Sequence, residues 1–107
     1  MSDSLSDAES LCQEVLELVP TLKLPDEPTI VSSLQAVLTS IKASSKKIMI
    51  RSAKGQEIVK EIAAAATTLH RVAKAQEHDN FTTHLAQLEA PVKKLEIFWR
   101  SFEYATT

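Results

Sequence analysis

A chain of 107 residues, 44% hydrophobic and 24% charged, is long enough for one modest core and lacks the composition of a disordered or fibrous chain. One glycine and four prolines leave few places to turn, and with only five aromatic residues and no strand-type alternation the pattern favours long helices. A net charge of −2 excludes phosphate binding as a theme of the whole surface, and a single cysteine excludes an internal disulfide and a cysteine-built zinc site.

Residues 4–19 form the first predicted helix. Ser4, with Asp7 three residues on, suits an N-cap followed by an acidic first turn. Leu5, Ala8, Leu11, Cys12, Val15, Leu18 and Val19 make its apolar stripe. Cys12 lies inside that stripe with no histidine or basic residue near it in sequence, as a buried structural thiol would. Pro20 is expected to end the helix. Residues 20–28, PTLKLPDEP, then form the main connection, with Leu22 and Leu24 covering one end of the core.

The second predicted helix spans 29–53, capped by Thr29 or Asp26. Ile30, Leu34, Val37, Leu38, Ile41, Ile48 and Met49 carry its stripe. Ser44 and Ser45 fall where apolar residues are expected, which allows a close approach or a slight bend. Gly55 suits the position just past a helix C-terminus, so Lys54-Gly55 is expected to be a tight turn.

The third helix, 56–77, is the clearest. Ile58, Ile62, Ala65, Leu69 and Val72 share one face, and the alanine block 63–66 lets a neighbouring helix approach closely. The fourth, 79–104, is capped by Asp79 or Asn80. Its residues Phe81, Leu85, Leu88, Val92, Leu95, Trp99 and Phe102 keep four-three spacing across Pro91. That continuity predicts one helix kinked at Pro91 rather than a break at Glu89-Ala90. Four such helices joined by short turns bury their stripes best as a single all-α domain over 1–107, an antiparallel up-and-down four-helix bundle. That domain is expected to be a whole protein or one excised from a longer chain.

Charge is unevenly distributed. Residues 1–27 hold seven acids and Lys23, for a net −6, whereas 28–56 hold Lys42, Lys46, Lys47, Arg51 and Lys54 and no acid, for a net +5. These bases are candidate contacts for an anionic membrane surface. The simpler expectation is a solvated face, with Arg51 and Lys47 near Asp3, Asp7 and Glu9 if the first two helices are antiparallel. Nucleic acid is not expected as a partner. The N-terminus does not resemble a secretory signal or transit peptide, and the uncharged runs are too short to span a bilayer, so a reducing, cytoplasmic location is expected.

His70, His78 and His84 show no ligand spacing, so no metal is expected. Leu69-His70-Arg71-Val72-Ala73-Lys74, on a helical bundle of this size, resembles the histidine phosphotransfer domains of two-component relays. Those domains place an exposed helical histidine shortly before a lysine, and the resemblance implies His70 as a phosphoryl acceptor. The stretch departs from their pattern: Lys74 comes four residues after the histidine instead of three, and Ala75 stands where glycine usually follows. There is no nucleophile elbow, no glycine-rich phosphate loop and no pair of carboxylates framing a pocket. No catalytic residue, cofactor or enzymatic activity is therefore assigned.

Aromatic residues crowd the C-terminus. Trp99 and Phe102 follow the apolar stripe, whereas Phe98 and Tyr104 lie off it, with Arg100 among them. Exposed aromatics beside an arginine are common anchors of protein interfaces. Phe98, Trp99, Arg100, Phe102 and Tyr104 are thus the candidate contact residues of a non-enzymatic protein–protein interaction domain. Such a domain would be adaptor-like or a subunit of a larger assembly, its partner another protein or a second copy. The competing expectation is that the Leu22–Leu24 connection covers these aromatics.

Overall fold

The computed structural model describes the backbone of residues 4–106 and the side chains of 5–102. It is all-helical: α1 spans Ser4–Leu22, α2 Glu27–Ser45, a 3-10 turn η1 Ile48–Arg51, α3 Ala53–Lys74 and α4 His78–Thr106. Short connections make α1 and α2, and likewise α3 and α4, antiparallel neighbours. Ser40 and Ser44 of α2 meet Glu96 and Trp99 of α4 in the same order along both chains, so α2 and α4 run parallel. The helices alternate in direction as an up-and-down bundle. Their order around it is α1, α2, α4, α3, because the packed pairs are α1–α2, α2–α4, α4–α3 and α3–α1. The link from α2 to α3 therefore crosses the diagonal at one end, where α1 begins and α4 ends.

Each helix contributes a stripe to one hydrophobic core. In α1 the buried residues are Leu5, Ala8, Cys12, Val15, Val19 and Leu22, alternately three and four apart. That phase explains why the helix does not end at Pro20. Proline there removes one backbone donor, but carrying the turn onward buries Leu22, which stabilises by about 1.5–3 kcal/mol. Lys23, at φ 51°, then takes the chain out of the helix.

The second helix stops at Ser45 rather than near 53. The Lys46 and Lys47 amides close back on the carbonyls of Ala43 and Ser44 at 3.3 and 3.0 Å, and Lys47 then extends at φ −94°, ψ 128°. This break resets the helical phase. Ile48, seven residues after buried Ile41, would face the core in an unbroken helix, yet here Ile50 is buried and Ile48 points outward.

Gly55 is not a turn residue. It sits in the first turn of α3, where the Ser52 hydroxyl oxygen accepts its N–H at 3.1 Å as the N-cap bond. A Cβ at this position would lie 2.6 Å from the Ile50 carbonyl oxygen, so glycine is required by the close approach of η1.

The third helix begins and ends three residues earlier than its periodicity suggests. It closes through Gln76, at φ 57°, whose N–H bonds the Ala73 carbonyl at 3.1 Å while Glu77 N–H reaches Val72 at 3.1 Å. Within the block 63–66 it is Ala66 that is buried, and Ala65 is half-buried. The fourth helix starts at His78 and runs unbroken through Pro91, burying Phe81, Leu85, Leu88, Val92, Leu95 and Trp99.

Candidate functional site

The candidate site is the end of the bundle where η1 meets the last turns of α4. Trp99 is central there but is not a free contact. It is 6% exposed, and its indole N–H donates to the Ser44 hydroxyl at 2.8 Å. Ser44, at 1% exposure, is the buried polar side chain of α2, and the tryptophan explains why an apolar residue does not stand there. The Lys47 ammonium lies 4.5 Å from the centre of the Trp99 ring and the Arg100 guanidinium 5.4 Å. Trp99 thus pins α4 to α2 instead of standing free at the surface.

Arg100 is also engaged within the fold. Its guanidinium meets Glu96 at 3.2 Å, and the other oxygen of that carboxylate accepts the Ser40 hydroxyl at 2.6 Å. Phe98 is half-buried against the core and touches Phe102 edge-on, with ring centres 5.1 Å apart. Phe102 does not continue the buried stripe, because the neighbouring helices have ended; it is 41% exposed. Ile97, five residues earlier on the same helix, is 67% exposed. The Tyr104 side chain lies outside the described residues. The expected cover by the Leu22–Leu24 connection does not occur, since that connection lies at the opposite end of the bundle. It is η1 that packs on α4.

The five bases do not form one face of α2. Lys42 lies in the last turn of α2, Lys46 and Lys47 just beyond it, Arg51 in η1 and Lys54 in the first turn of α3. Asp7 and Glu9 make no ion pair with Arg51 among the described residues, and Asp3 lies outside them. Lys54 sits 3.7 Å from exposed Glu57. The first turn of α3 holds no acid, so Lys54 stands at the positive end of the helix dipole. A like charge at that position costs about 0.3–1 kcal/mol. Ser45, Lys46, Lys47, Ile48 and Arg51 line a depression of about 210 Å³, and Ile48 beside it is 77% exposed. Residue periodicity misassigned Ile48 to the core, because the break after Ser45 has no proline or glycine to mark it.

The remaining chemistry-bearing residues are tied into the fold. His70 Nε2 faces the Glu14 carboxylate at 3.4 Å, joining α3 to α1. A carboxylate at that nitrogen opposes the approach of an anionic phosphoryl group. His84 Nδ1 lies 3.2 Å from the Gln87 amide oxygen, and His78 is exposed at the start of α4. Among the described residues no three of His, Cys, Asp and Glu converge to hold a metal ion. Burial first, and Glu9 second, push the Cys12 thiol up to about 12, which leaves it un-ionised near neutrality. A groove of about 170 Å³ between α2 and α4 is bordered by Val37, Ser40, Val92 and Glu96, and the serine and glutamate there are bonded to each other. No helix among the described residues is long and apolar enough to cross a membrane. Comparison with known protein families, curated proteins and solved structures finds no match.

Proposed function

We propose that this chain is a non-enzymatic protein-interaction domain, adaptor-like or a subunit of a larger assembly, working in a reducing intracellular compartment. Its contact surface is the outer flank of the last turns of α4, formed by Ile97, Phe98 and Phe102. The observation that carries this reading is that Ile97 and Phe102 remain 67% and 41% exposed beside a core that is already closed by Trp99. Ile97 lies two residues from Trp99 and so across the helix from the core. Phe98 and Phe102 meet edge-on as an i, i+4 pair that extends the apolar flank. Trp99 and Glu96 act as positioning residues: their bonds to Ser44 and Ser40 tie α4 to α2 and so set the direction in which the flank faces, while Arg100 pairs with Glu96 within α4. Burying one such side chain against a partner is worth about 1.5–3 kcal/mol.

The test compares wild type with Ile97→Asp/Phe102→Asp by light scattering across a concentration range and by affinity capture from the native source. The reading expects self-association, or a retained protein, that is lost in a variant of unchanged helicity. A wild type that stays monomeric and retains the same proteins as the variant refutes it.

A further inference from the structure

The link between α2 and α3 carries a second surface, independent of the α4 flank. From residue 28 to residue 56 the chain has five basic and no acidic residues. The fold concentrates them: Lys46 and Arg51 flank the depression at the tip, and Lys42 and Lys54 stand on the helix turns leading into and out of it. Lys46, Arg51, Lys42 and Lys54 are all exposed. Between Lys46 and Arg51 in the lining of that depression, Ile48 is the most exposed large apolar side chain of the described residues, at 77%. The fold does not need it, since Ile50 fills the core position of η1. The turn is held by its own hydrogen bonds and by close packing on α3. Ser52 donates to the Met49 carbonyl at 2.8 Å, Gln56 donates to the Ile50 carbonyl at 2.8 Å, and Gly55 lets η1 sit directly against α3. A hydrogen-bonded turn thus presents one exposed apolar side chain with Lys46 and Arg51 beside it and two further cations on the adjoining helix turns.

We propose that residues 46–51 dock the bundle on an anionic phospholipid surface, with Ile48 entering the acyl boundary while Lys42, Lys46, Arg51 and Lys54 contact headgroup phosphates. Charge complementarity favours this occupant: a bilayer of anionic lipid offers negative charge around a shallow apolar interior, the pattern that the turn mirrors. Lys47 is not needed for the contact, because its ammonium rests over the Trp99 ring. The acids of α1 lie on a neighbouring element, and Glu57 faces Lys54, so the net attraction is modest and sensitive to salt.

Co-sedimentation with vesicles of phosphatidylcholine alone, and of phosphatidylcholine with phosphatidylserine, tests this. Binding is expected only to the anionic vesicles and should fall as salt is raised. Each basic side chain near such a surface is worth about five-fold in partitioning, so Lys46→Glu/Arg51→Glu should lower it at least about twenty-five-fold. Removing the apolar insertion with Ile48→Ser should lower it about ten-fold and leave the salt dependence in place. These residues are exposed, so helicity is expected to stay unchanged. Inorganic phosphate, added at matched ionic strength, should not compete. Equal binding to neutral vesicles, no binding to either, full competition by phosphate, or an unchanged Ile48→Ser each overturns the proposal. Because none of these substitutions touches Ile97 or Phe102, such a result leaves the protein-interaction reading standing, and the reverse holds as well.

Discussion

Replacing Gly55 with alanine adds a single methyl group at the tightest point of the fold. Its carbon would stand 2.6 Å from the Ile50 carbonyl oxygen and 2.7 Å from that residue's carbonyl carbon and Cα. Carbon contacts are comfortable at about 3.5–4.0 Å, so relief demands a movement of about 1 Å between η1 and α3. All three opposing atoms are backbone, and the turn is held from behind by buried Ile50 and by the Gln56 amide on its carbonyl. Overpacking of this kind costs about 1–3 kcal/mol, while exchanging glycine for alanine in a helix returns about 0.5–1 kcal/mol. The expected net loss is about 1–2 kcal/mol, out of the 5–15 kcal/mol typical of a small domain. Urea denaturation followed by Trp99 fluorescence should show the midpoint falling by about 0.5–1 M. Ala64→Gly, on the exposed side of the same helix, isolates the propensity contribution. A Gly55→Ala protein as stable as wild type, or more so, would refute the assignment of Gly55 to close approach.

Further substitutions probe other joints. Ser44→Ala strands the Trp99 indole N–H in the core and should destabilise by about 1–3 kcal/mol in urea, with a shifted tryptophan emission. Gln76→Gly should raise stability by about 0.5–1 kcal/mol. It removes a left-handed strain of about 1–2 kcal/mol at φ 57° against a smaller rise in unfolded-chain entropy, and calorimetry will show the sign. Cys12 should react negligibly with a thiol reagent at pH 8 until denaturant is added, since its thiol is pushed up to about 12. Burial favours the protonated thiol, so the stability it contributes is intact below about pH 9 and is lost as pH climbs toward 12.

The bundle was legible in the sequence because helix geometry ties burial to spacing. Phe81 through Trp99 are buried as their four-three spacing requires, and Pro91 does not interrupt them. The same in-phase argument applies at Pro20, where Leu22 follows Val19 by three residues, and the expectation that the helix stops there overlooked it. The end of α2 was not legible. Ser44 and Ser45 stand there for different reasons: Ser44 accepts the Trp99 hydrogen bond, and exposed Ser45 donates its hydroxyl to the Lys42 carbonyl in the last turn. No local residue announces the phase change that turns Ile48 outward. Gly55 misled for a related reason: a lone glycine after a helical run resembles a cap, and its need for close backbone contact appears only in three dimensions.

At the candidate site, spacing distinguished Trp99 from Phe98 but not Phe102, whose exposure depends on where the other helices end. It also could not place the covering segment. The connections lie at opposite ends of the bundle, and it is η1 that reaches the aromatics, with Lys47 over the indole.

The claim that matters most is that Ile97 and Phe102 are exposed for contact and are spare to the fold. Affinity capture with wild type and Ile97→Asp/Phe102→Asp at equal melting temperature tests it most directly. The account predicts that wild type retains at least one protein, or further copies of itself, that the variant releases. Identical retained sets from two equally stable chains would contradict it.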